Sequence, residues 1–130
     1  MENIDKLKII NVIKEEIENL RLIIKDIKRL IKNHEKYNDE EYDKVIMNYT
    51  FQLVGTVLRI KVAIRETTTY KKSEKDFFIE NIYEILDNIS KANDKIFHKE
   101  ENVEEMLSYM ASQLMRLEAY AKHEEIVYTN

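Results

Sequence analysis

The first third of the chain places an apolar residue at every third or fourth position. Ile10, Ile13, Ile17, Leu20, Ile24, Ile27 and Ile31 form one line, and Ile9, Ile23 and Leu30 widen it on one flank. Alternating steps of three and four put side chains on one face of an α-helix. A stripe of this width suits a bundle core rather than a two-stranded seam. The pattern predicts a first helix over residues 3–38, with Asn3 as its N-cap and its stop between Asn33 and Asp39, where polar residues replace the stripe. A second helix is predicted over 40–68. Asn38 or Asp39 would cap it, with Glu40 and Glu41 in a first turn that favours carboxylates. Its inward line is Tyr42, Ile46, Tyr49, Leu53, Thr56, Ile60 and Ala63, while Phe51, Val54, Val57, Leu58, Val62 and Ile64 lie off that line. The middle of this helix is therefore apolar on more than one side.

One stretch of it also reads as a strand. Leu58 to Arg65 alternates apolar and basic residues and runs into Thr67, Thr68 and Thr69, with Glu125 to Tyr128 as the only available partner segment. Helix is the favoured reading, with fraying expected from Thr67 onward. A third helix is predicted over 74–98, where Ser73 and Asp76 resemble a capping box just ahead of Phe77 and Phe78. Its line is Phe78, Ile82, Ile85, Ile89, Ala92 and Ile96, flanked by Ile79 and Leu86. The fourth, over 101–124, carries Val103, Leu107, Met110, Leu114, Leu117 and Ala121, and the residues after it are expected to be loose. Four stripes joined by short connections predict one all-α domain spanning 1–130, an antiparallel up-down-up-down four-helix bundle with coiled-coil-like packing and a longer first hairpin.

Composition narrows the chemistry. With no cysteine there is no disulfide framework, thiolate metal site or cysteine nucleophile, and with no proline and a single glycine there is no glycine-cradled phosphate loop. The mixed-charge N-terminus leads into no long apolar run and none approaches the length of a membrane span, which predicts a soluble, cytoplasmic protein without a secretory leader. Residues 1–72 hold 15 Lys or Arg against 12 Asp or Glu, whereas residues 73–130 hold 6 against 13. Oppositely charged halves attract each other. Within the basic half, Arg21, Lys25, Lys28, Arg29, Lys32 and Lys36 share one predicted helix face, which makes them a possible polyanion contact. Asp26 and Glu35 interrupt that row, so nucleic-acid binding is not the favoured reading.

Catalytic groups are scattered. His34 and His98 fall at predicted helix C-termini, where a cationic imidazole complements the dipole. No Glu-x-x-His pair occurs, and His98 with Glu101 is the best metal-ligand pair available, so no metal or cofactor is expected. The segment Arg116-Leu117-Glu118-Ala119-Tyr120-Ala121-Lys122-His123 is similar to the Arg-x4–6-His signature of HEPN ribonucleases. That resemblance implies a metal-independent ribonuclease in which Arg116 and His123 act at the scissile phosphate, usually across a dimer interface. In a continuous helix the two residues lie about 10 Å apart along the axis. Within the same segment, Leu117 to Lys122 resembles the closing helix of the small helical subunit of type III CRISPR effector complexes, which implies a place in a nucleoprotein assembly.

Subtraction favours a non-enzymatic interaction protein. The apolar surface of the second helix exceeds what one bundle face can bury. Phe51, Val54, Gly55, Val57, Leu58 and Val62 are the expected interface, with Gly55 marking a point where another backbone approaches. The expected partners are a second copy of the chain, as a homodimer or larger oligomer, and another protein, in the role of adaptor, inhibitor or small subunit.

Overall fold

A computed structural model describes residues 3–68, 77–99 and 102–129. It contains four α-helices: α1, Asn3–Lys32; α2, Asp39–Thr68; α3, Phe77–Phe97; and α4, Val103–Thr129. Each helix packs against two neighbours, α1 on α2 and α4, and α3 on α2 and α4, so the four form a closed ring around one core. Cross-helix pairs show the antiparallel order. Lys14 meets Glu125 and Arg21 meets Glu118, so partners descend along α4 as positions rise along α1. The same holds between α2 and α3, where Phe51 faces Phe97 and Lys61 binds Asp87. The first two helices are the longest, at 30 residues each against 21 and 27.

The predicted lines form the core. Ile10, Ile13, Ile17, Leu20, Ile24 and Ile27 of α1 are buried, together with the flanking Ile9, Ile23 and Leu30. Every residue of the predicted α3 line is buried, as is the α4 line from Leu107 to Ala121. On α2 the core is wider than predicted. Val57 and Ile64, placed off its inward line, are 3% and 1% exposed. The reason is angular: each lies four positions beyond a core residue, Leu53 or Ile60, and so only about 40° around the helix from it.

The helix ends depart from expectation at two places. α1 stops at Lys32 rather than near 38. The Asn33 amide donates to the carbonyls of Arg29 and Leu30, and its side chain donates a 2.9 Å bond to the Arg29 carbonyl. A single 3-10 turn, His34–Lys36, then reverses the chain. α4 continues through Thr129, past the predicted end at 124, and Glu125 in this extension binds Lys14 of α1 at 2.8 Å. Asn38 is the cap of α2: the Glu41 amide donates to its Oδ1 at 2.8 Å, and its Nδ2 donates to the Glu41 carboxylate at 3.0 Å. Asn102 caps α4 through the Glu105 amide. α2 is helical across the alternating segment to Thr68, and no strand occurs among the described residues. The Asn3 side chain, the Ser73–Asp76 box and the Glu101 of the His98–Glu101 pair lie outside the described residues.

Candidate functional site

The outer face of α2 is the feature that the bundle leaves unexplained. Met47, Phe51, Val54, Leu58 and Val62 are all exposed, Phe51 to 59%. Their steps of four, three, four and four residues keep them on one line, opposite the buried Leu53, Ile60 and Ile64. A helix that must satisfy only one core carries polar residues there. On the same line Glu40 stands at the N-terminal end and Arg65 at the C-terminal end, both exposed. Phe51 leans on Phe97 of α3, with ring centroids 5.8 Å apart.

Val57 is removed from this face, because it is part of the core. Gly55 stands beside this face. Among the described residues, a Cβ built on it would meet only Arg59 Nη1, at 3.8 Å, and none of the described helices approaches it. It borders an open hollow of about 390 Å³ between α1 and α2, next to the exposed Leu22.

Beneath that hollow lies a polar cluster that sequence reasoning missed. Glu16 of α1 is buried, and Arg59 grips its carboxylate with both arms, Nε to Oε1 at 2.9 Å and Nη2 to Oε2 at 3.1 Å. Asn19 donates to the same carboxylate, and Arg59 Nη2 also donates to the buried Thr56 hydroxyl. Burial works to raise the Glu16 pKa, but the hydrogen bonds from Arg59 and Asn19 and the guanidinium charge hold it below the ordinary glutamate value. The readable signal was the line Ile9, Ile13, Glu16, Leu20, Ile23, Ile27, Leu30, a strict four-three alternation with one carboxylate in it. Asn93 breaks the α3 core in the same way. It is buried, its Nδ2 donates to the Thr50 carbonyl at 3.1 Å, and its Oδ1 has no partner among the described residues.

The other candidates are not gathered into a site. Arg116 is exposed and lies 3.6 Å from Glu84 of α3, while His123 stands two turns further along the continuous α4, with the buried Leu117 between them in sequence. One chain therefore does not bring the pair to a common point. Of the basic row, Arg21 is bound by Glu18 and Glu118 and Arg29 lies 3.7 Å from Asp26. Lys36 belongs to the 3-10 turn and leaves the row, because α1 ends before it. Lys25, Lys28 and Lys32 remain exposed.

No family model, curated protein or solved structure matches this chain. The functional reading therefore rests on geometry. His34, expected at a helix C-terminus, lies in the 3-10 turn and stacks on Tyr42 at 3.6 Å, while burial and then Asp43 push the Tyr42 pKa up. His98 does follow the last turn of α3, and its ring meets Phe97 edge-on. Among the described residues no group of three or more His, Asp or Glu is placed to hold a metal ion, and no helix is long and apolar enough to cross a membrane.

Proposed function

We propose that this protein is a non-enzymatic interaction module whose outer α2 face docks other protein chains. The observation that carries the reading is the five-residue exposed apolar line on a helix whose inner face is already buried in the bundle. Isolated surface apolar residues are ordinary, but a contiguous row of them marks a contact surface. Its placement on a rigid 30-residue helix, capped at Asn38, suits an adaptor, an inhibitor or a small subunit that presents a fixed ridge.

Cross-linking in an extract of the source cell tests this, comparing the wild type with a Phe51→Asp/Leu58→Asp variant. The wild type is expected to form cross-linked products that the variant loses while its helical circular dichroism is retained. Identical products from both proteins would overturn the reading.

A further inference from the structure

Resting on the docking role proposed for α2, we infer that a second copy of this chain occupies that face, with the two α2 helices antiparallel and related by a two-fold axis between Phe51 and Val54. Four of the five apolar residues of the outer line pair with one another under that rotation, and Val62 falls opposite Asp43. It runs from Glu40, through Met47, Phe51, Val54 and Leu58, to Arg65. Turned end for end on itself, Phe51 of each copy faces Val54 of the other and Met47 faces Leu58. The same register sets Glu40 of each copy opposite Arg65 of the other, so the acidic first turns of one helix lie beside the basic last turns of its partner. Asp43 and Lys61 add no pair to that register, since each is already bound within its own chain, to Lys99 and Asp87. A parallel pairing would set Glu40 against Glu40 and Arg65 against Arg65. Charge therefore selects the antiparallel arrangement.

Gly55 supplies the space. Each knob of a helix pair enters a hole bounded by four residues spaced i, i+3, i+4 and i+7. Here the central hole is Phe51, Val54, Gly55 and Leu58, and its one missing side chain opens toward Leu22 of α1. Among the described residues nothing fills that space, since the nearest atom to a Cβ there is the end of the Arg59 side chain. A two-fold contact of this kind is isologous and closes at two copies. Its single-helix width places it at the low end of specific interfaces, with an expected dissociation constant of about 10 µM.

The absence of native cysteine allows a direct test. Met47→Cys and Leu58→Cys are made as separate proteins, both at exposed positions, and oxidised alone and mixed. In the antiparallel register position 47 faces 58, whereas 47 lies about 16 Å along the axis from 47 of the partner, too far for a disulfide. The expected result is a disulfide dimer in the mixture and none from either protein alone. Dimers from each protein alone, which parallel pairing would give, overturn the inference, as does the absence of dimer in all three samples. Charge exchange is the second arm. Glu40→Arg and Arg65→Glu are each expected to weaken dimerisation by about tenfold, and the double exchange to restore it. Failure of the double exchange to restore affinity contradicts the register. If neither arm detects self-association while the Asp variants still lose cellular cross-links, the second copy is excluded and the docking role stands.

Discussion

α2 and α3 are neighbours in the bundle, yet they use their apolar residues differently. In α3 the apolar line from Phe78 to Ile96 turns inward, and the only large hydrophobic side chain it exposes is Phe77 at its first position. In α2 the apolar residues divide between two opposite faces, with Leu53, Val57, Ile60 and Ile64 inside and Phe51, Val54, Leu58 and Val62 outside. The first arrangement is what folding one chain requires. The second exceeds that requirement, and the excess is ordered along a single line. The lesson is that a partner surface can be seen as the remainder left after the core has been subtracted.

The sharpest way to break this comparison is to delete matched side chains from the two faces of α2. Leu53→Ala is expected to cost about 2–5 kcal/mol of stability, because it leaves a cavity in the core. Leu58→Ala should cost no more than about 0.5 kcal/mol in dilute protein. Urea unfolding of both variants decides the matter, and equal losses would mean that the outer line also supports the fold.

The next largest effect lies at the α1–α2 seam. Glu16→Gln removes the carboxylate that Arg59 binds through two bonds, and the expected loss is about 1–3 kcal/mol. The Glu16 pKa is depressed in the folded chain, so on acidification the unfolded chain takes up this proton first. The stability it contributes is therefore present above the ordinary glutamate value of about 4.3 and is lost as pH falls through the folded value. Unfolding free energies measured across that acid range should show a shallower pH slope for the variant. Equal slopes would show that the pair does not titrate with folding.

Most of the fold was legible because repeating apolar spacing is a property of the chain itself. The α3 and α4 lines, the Asn38 cap and the four-helix order could all be read in this way. Three features could not. The end of α1 at Lys32 depends on Asn33 bonding back to Arg29, a local competition that the spacing does not encode. The continuation of α4 to Thr129 runs alongside α1, where Glu125 meets Lys14 from 111 positions away. The occupant of the space at Gly55 was not legible either, because a helical glycine signals space without saying which chain fills it. On the outer face the sequence showed an excess of apolar residues, but assigning Val57 to one side or the other required the packed helix.

Two smaller effects refine the contrast between core and surface. Asn93→Leu is expected to raise stability by about 1 kcal/mol, since it replaces a buried Oδ1, without a partner among the described residues, at the α2–α3 seam with apolar volume. A loss instead, measured by thermal unfolding, would mean that the bond to the Thr50 carbonyl outweighs the unpaired oxygen. Gly55→Ala should stabilise the monomer by roughly 0.5–1 kcal/mol, because helix propensity improves and the added methyl meets only ordinary contact. The same variant should dimerise less well. Opposite signs for folding and association at one residue would separate the two uses of α2.

Sedimentation equilibrium across a concentration series, run on the wild type and on Phe51→Glu/Leu58→Glu, tests the account most directly. The wild type should pass from monomer to dimer around 10 µM, the order expected for a narrow interface, while the variant stays monomeric with unchanged helicity. A wild type that remains monomeric well into the hundreds of micromolar, or a variant that still dimerises, would contradict self-docking through α2.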